Sequence, residues 1–301
     1  MTEPGLVRAE AFAPAHVTGV FRPAVDARDP RARGSVGAGI VLECGVRAVA
    51  EFRPGPRRRI RVSSRLGIPL PISEEVAHRL RPNPTGTLSV HLVHELPVGQ
   101  GFGMSAAGAT ATALAVGAIS GRPRPRVIEV AHLADLFGGG GLGGVASIVG
   151  GGGLEFRSRS GIPPFGRTVH RELSGSVILG VAGGPLPSPR LLRDRGFLRR
   201  VATASNGLDD LLQQPGVAGF FDLSERFTDR LGLAPAPLVR VLRGLRRRGA
   251  SAAQAMFGRS FFARVASVRQ RTQVLQWLAA ARVPAVELAP ARRGAHFVGS
   301  A

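Results

Sequence analysis

The chain has 301 residues, a formal net charge of +20 and 44% hydrophobic content, long enough for two domains with cores of their own. It contains no lysine, so all 40 basic residues are arginine; this excludes a Walker-type phosphate loop and a protein kinase, which both place a lysine on the phosphates. Gly, Arg or Pro breaks every apolar run well short of the roughly 18 residues of a membrane span, and the single cysteine, Cys44, excludes an internal disulfide and a cysteine-rich metal site.

Val7 to Phe21 opens as a short alternating strand, and Pro14 and Gly19 around His16 predict a sharp bend with the strand continuing beyond it. Asp26 to Gly34 is a polar loop, after which Ser35-Val36-Gly37-Ala38-Gly39-Ile40 leads into a strand over Ile40 to Glu43, with Cys44 in a strand core. Residues 46–53 and 58–66 read as paired strands joined by Pro54-Gly55-Pro56. A helix with Ser73 as N-cap and Glu74 and Glu75 in its first turn runs to about Arg81. Thr87 to His94 alternates as a strand.

That strand enters Leu96-Pro97-Val98-Gly99-Gln100-Gly101-Phe102-Gly103-Met104-Ser105-Ala106-Ala107. Three spaced glycines followed by small residues predict a tight loop feeding straight into a helix. Bare amides and the positive end of the helix dipole suit a phosphate there, and Ser105 offers a hydroxyl to a phosphate or a metal ion. A glycine-rich turn alone is often an ordinary loop; the Pro, the glycine spacing and the Ser-Ala-Ala together point to phosphate. Without lysine, ATP bound here would depend on amides, Mg²⁺ and arginine.

The helix after the loop ends near Gly121, stopped by Pro123 and Pro125. A second, about Arg126 to Phe137, carries Glu129, His132 and Asp135, the last two one turn apart on one face. Glu129 is out of phase with them, and Glu95 is a weaker source of negative charge beside the loop. Gly138 to Gly144 and Gly150 to Gly153, around the apolar Val145 to Val149, fit a loop that wraps a ligand. Leu154-Glu155-Phe156-Arg157 is a short strand, and Pro163-Pro164 marks a boundary between domains at 1–165 and 166–301. In the second half, strands at 176–182 and 285–288, extended segments at 252–256 and 261–265, and helices at 190–214, 217–231, 235–249 and 267–282 predict a split βαβ layout of ferredoxin type. The chain then ends in a basic tail.

The positive charge invites a nucleic-acid hypothesis, but the arginines are dispersed, with short clusters only at 57–59 and 246–248. With no Tyr and one Trp there is no stacking platform, so specific nucleic-acid binding is not expected, and weak binding at low salt is. The start of the sequence shows no basic and apolar leader pattern, and a cytoplasmic protein without membrane contact is expected.

Ala13-Pro14-Ala15-His16, the loop from Pro97 to Ala107 and Met256-Phe257-Gly258 resemble the three ordered motifs of the GHMP small-molecule kinases, and the likeness to the archaeal pantoate kinases among them runs almost end to end. The resemblance implies an α+β GHMP kinase fold, with an N-terminal domain like ribosomal protein S5 and a C-terminal ferredoxin-like domain. It implies ATP-dependent phosphorylation of the primary hydroxyl of pantoate in coenzyme A synthesis, and a homodimer. By it, Pro97, Gly99, Gly101, Gly103, Met104, Ser105 and Ala106 hold ATP, and Ser105 and Asp135 are the catalytic residues that hold Mg²⁺. His16, Ser35, His132, Arg157 and Arg190 line the pantoate site, where arginine forks suit a carboxylate. The family usually has Glu where Asp135 stands. It reads Gly-Leu-Gly-Asp where this chain reads Gly141-Leu142-Gly143-Gly144, so the acid expected to orient the attacking hydroxyl, accept its proton or help hold metal is absent.

Overall fold

Small apolar residues at alternate positions, Ala9, Ala11, Ala13, Ala15 and Val17, bury one face of the first strand, β1 (Val7–Ala24). It belongs to a computed structural model that describes residues 5–186, 191 and 194–300. β1 pairs antiparallel along its length with β2 (Gly34–Pro54), and its register slips between Pro14 and Ala15 and between Thr18 and Val20, where the bend was expected. The two strands read from sequence at 40–43 and 46–53 are parts of β2. They are separated only by the slip that leaves Glu43 and Cys44 without partners on β1.

β3 (Arg59–Ser64) is not the hairpin partner of β2. β4 (Gly86–His94) lies between them, antiparallel to β2 and parallel to β3. Leu88, Val90 and Leu92 of β4 are buried, whereas β3 alternates between exposed and half-buried residues, so β4 takes the central place and β3 the edge. Past the bend, β5 (Gly153–Arg159) pairs with β2, and β6 (Arg167–Arg171) pairs with β5. The boundary expected at 165/166 therefore falls between two strands of one sheet.

The helix expected to be capped by Ser73 starts three residues earlier. α1 (Pro71–Leu80) has Leu70 as its N-cap and Pro71 in its first turn, where a missing N–H costs nothing, and Ser73 is buried inside it. α2 (Met104–Ile119) is buried on nearly all sides between β1, β2, α1 and α3 (Arg124–Phe137), and its alanines and glycines permit that close approach. The apolar Val145 to Val149 segment forms the one-turn helix α4 (Gly144–Ile148).

The second half carries β7 (Val177–Val181), then α5 (Arg195–Ala204), α6 (Leu208–Gln213), α7 (Val217–Leu231) and α8 (Ala236–Arg246). β8 (Ser251–Gln254), β9 (Ser260–Arg264), α9 (Val268–Ala280) and β10 (Ala285–Leu288) complete an antiparallel sheet of order β10-β7-β9-β8, the ferredoxin-like arrangement expected. β11 (His296–Ser300) returns to the first sheet and pairs with β1. Phe21 of β1 meets Phe227 of α7 and Phe257 edge to face, so one continuous core joins the two halves beside the β1 bend.

Candidate active site

Between β4 and α2 the chain turns on Gly99, Gly101 and Gly103, all at positive φ, and Gly103 caps α2 at φ 70° with no side chain bonded to the first-turn amides. The turn is pinned from three sides. Phe102 accepts from the His16 amide at 3.2 Å, Gly99 accepts from the Leu186 amide at 3.2 Å, and the Gln100 side chain donates to Gly183 at 2.9 Å. Ser260 also donates to the Gln100 carbonyl.

The loop and α2 form one wall of a cavity of about 350 Å³. β1, α3, the glycine stretch 138–144 and Met256-Phe257 form the others. His16, Ser35, Gly99, Gly101, Gly103, Met104, Ser105, Ala106, Asp135 and Arg157 all line it. Pro97 is exposed and stands outside the wall. His132 is buried but faces away, bonded to the backbone of Pro30 and Arg33, and its Nε2 has no partner among the described residues. Arg190 lies outside the described residues.

Asp135 is 2% exposed, and its Oδ1 accepts from the Ser105 hydroxyl at 2.8 Å. Burial pushes its carboxyl up to about 6, against the pull of the Ser105 hydrogen bond. No arginine or histidine pairs with it among the described residues, so this is a buried carboxylate short of positive charge beside a hydroxyl and open amides. That donor set fits Mg²⁺. One carboxylate, with no cluster of three ligating side chains among the described residues, suits an ion that arrives with phosphate oxygens rather than one held in a protein cage. The glycines opposite make room: a side chain at Gly140 would run into both Asp135 Oδ1 and Ser105 Oγ.

The second charged group went unassigned in the sequence. Glu155, fully buried on β5, accepts from His16 Nε2 at 2.8 Å and from Arg157 Nη1, which also donates to Ser147 Oγ at 2.6 Å. Burial alone would raise the Glu155 carboxyl, but the Arg157 charge and the His16 bond hold it below the usual value. The signal was present in the strand itself. Glu155 and Arg157, two apart, share a face of β5 and alternate with the apolar Leu154 and Phe156.

Burial lowers the affinity of His16, His94, His132 and His170 for a proton below the usual 6.5. The unfolded chain binds more protons at these sites than the fold does below pH 6.5, so stability present at neutral pH is lost as the pH falls. Asp135, raised from 3.8 to about 6, and Glu225, also raised by burial, oppose this over their own ranges. Melting temperatures measured from pH 7.5 to 5.5 are expected to fall steadily, before most carboxylates titrate.

At Gly144 a Cβ would sit 2.5 Å from that of Ala106 and 3.9 Å from Asp135 Oδ2. Gly144→Asp is therefore expected to destabilise the fold by about 1–3 kcal/mol through overpacking, read as a lower melting temperature, and to crowd a second carboxylate against Asp135.

Residues 72–152 match the model of the GHMP kinases N terminal domain. The chain is 29% identical over 268 residues to a pantoate kinase of Methanospirillum hungatei, covering 86% of this chain and 88% of that one. A solved structure described as a phosphotransferase related to the CoA biosynthesis pathway superposes with a TM-score of 0.86 at 28% identity, over 97% of this chain and 98% of that one. A pantoate kinase of Thermococcus kodakarensis is 33% identical over 243 residues, 78% of this chain and 80% of its own. The chain belongs to the pantoate kinase family. The loop, Ser105 and Asp135 of this family member thus meet in one cavity with Arg157 and His16, on a GHMP kinase fold with no described helix long and apolar enough to cross a membrane.

Proposed function

We propose that this chain transfers the γ-phosphoryl group of ATP to the primary hydroxyl of pantoate, giving 4-phosphopantoate. The observation that carries the reading is the single cavity in which an open helix start, a cation-deficient carboxylate and a buried arginine converge, in a chain of this family. The amides of Gly99 to Ala106 receive the triphosphate, as oriented backbone dipoles do without a lysine. Ser105 and Asp135 would hold Mg²⁺, which neutralises charge on the phosphate oxygens when bound. Arg157 presents its guanidinium to the pantoate carboxylate, with Ser35 and His16 beside it. Arg190 joins that set on the resemblance alone. His132 acts only indirectly, by tying α3 to the turn at residues 30–33.

Phosphoryl transfer depends chiefly on positioning and charge neutralisation, so glycine at 144 is compatible with turnover. Purified protein is expected to form ADP only when pantoate, ATP and Mg²⁺ are all present. A panel including homoserine and mevalonate should give at most weak turnover, and equal rates across the panel would reject pantoate as the acceptor. We propose a cytoplasmic homodimer as the working form, tested by light scattering.

A further inference from the structure

Moving a phosphoryl group onto an alcohol releases the alcohol's proton, and the argument here rests on that reading of the reaction. Among the described residues that line the cavity, only His16, Asp135 and Arg157 carry titratable side chains. Arg157 has no lone pair to offer. Asp135 is engaged by Ser105 and assigned to the cation. The glycine stretch 138–144 contributes one side chain, Leu142, and residues 187–190 and 192–193, outside the described set, contain neither carboxylate nor imidazole.

His16 has the form of a base with an orienting partner. Glu155, held ionised by Arg157, can only accept, so the proton between them sits on His16 Nε2 and the lone pair on Nδ1. Nδ1 has no hydrogen bond among the described residues, and it belongs to a side chain that lines the cavity. The Glu155 bond orients the ring, and the backbone behind it is fixed. Its backbone N–H is bonded to Phe102 in the phosphate loop at 3.2 Å, and a Cβ at Gly103 would stand 3.2 Å from that of His16. The charged groups acting on it are Glu155 and Arg157 of β5 and, more weakly, His170 of β6. The imidazole is neutral at pH 7, as a base must be.

We propose that His16 is the proton acceptor of the reaction, with Glu155 as its positioning residue. The hydroxyl O–H bond of the acceptor breaks and its proton passes to Nδ1, while the oxygen forms a bond to the γ-phosphorus. The bond from that phosphorus to the bridging oxygen breaks, ADP leaves with the electron pair, and the imidazolium returns the proton to water. The arrangement is the base-plus-orienter logic of nucleophile activation, applied to a substrate hydroxyl.

The test uses the full chain with pantoate and saturating Mg²⁺-ATP. His16→Gln is expected to lower kcat by about 10²–10⁴-fold, the usual worth of a general base, with KM for ATP within threefold. In His16→Ala, added imidazole should restore at least tenfold of the lost rate, which a merely structural role would not allow. A folded Gln variant within tenfold of the parent kcat overturns the proposal, and so does a folded Ala variant indifferent to imidazole. Should neither variant fold, the parent decides. A kcat that falls tenfold per pH unit below an apparent pKa under 6.5, unchanged on doubling Mg²⁺, supports His16, and a rate flat from pH 5 to 8 overturns it. Failure of the parent to turn over pantoate at all rejects the functional reading and the base together; the other outcomes touch the base alone.

Discussion

Asp135→Asn is expected to lower kcat/KM for pantoate phosphorylation by about 10²–10³-fold while raising the melting temperature of the ligand-free protein. The two effects have one cause. The carboxylate is fully buried, and burial lifts it from 3.8 to about 6, so at pH 7 the fold carries an ionised group it solvates poorly. A shift of that size corresponds to about 2–3 kcal/mol of instability, at 1.36 kcal/mol per unit. Asparagine keeps the shape and still accepts from the Ser105 hydroxyl 2.8 Å away, but removes the charge. The catalytic loss follows because the cation on the phosphates would be held by the hydroxyl and water alone, and metal charge stabilisation is worth several kcal/mol of barrier. Scanning calorimetry with and without Mg²⁺-ATP checks both halves. The ligand should raise the parent's melting temperature by more than the variant's, because only the parent gains a partner for a strained charge.

How far the sequence discloses this site depends on whether each feature is local. The loop-to-helix junction is written in consecutive residues, glycines at 99, 101 and 103 and then Met104-Ser105-Ala106, so its conformation follows from local backbone physics. The ferredoxin-like sheet is also legible, because strands and long amphipathic helices such as Ala236–Arg246 alternate with clear periods. The misread features are matters of partnership. Arg59–Ser64 follows Pro54-Gly55-Pro56 as a hairpin arm would, yet pairs with residues 28 positions on, because Leu88, Val90 and Leu92 need the central position more. Ser73 has the chemistry of a cap, but Pro71 starts the helix first. His296–Ser300 lacks any strand alternation strong enough to show that it joins a strand nearly 300 residues earlier. Glu155 is the instructive omission. A charged residue inside an apolar strand reads as an outward-facing one until its partners, His16 and Arg157, are brought to the same face.

Removing that partnership has the largest expected effect on stability. Glu155→Gln is expected to cost about 3–5 kcal/mol, the usual result of breaking a buried pair from one side, or roughly 6–20 °C in melting temperature. The reason is asymmetry. Arg157 is 2% exposed and its Nε already lacks a partner among the described residues, so once residue 155 is neutral the guanidinium keeps only uncharged acceptors, the new amide oxygen and Ser147, and is a buried cation without a counter-charge. Charge repulsion from Arg157 on His16, now offset by the carboxylate, is also released, and imidazole protonation becomes harder still. The double variant Glu155→Leu with Arg157→Leu removes both charges together and is expected to be more stable than either single one, because neither desolvated ion is left alone. It should nevertheless bind pantoate poorly, since the guanidinium that meets the carboxylate is gone. A double-mutant cycle read by thermal unfolding, beside KM for pantoate, separates these terms. A coupling energy near zero would mean that Glu155 and Arg157 do not depend on each other, and the buried pair would then contribute nothing to holding the acceptor side of the cavity.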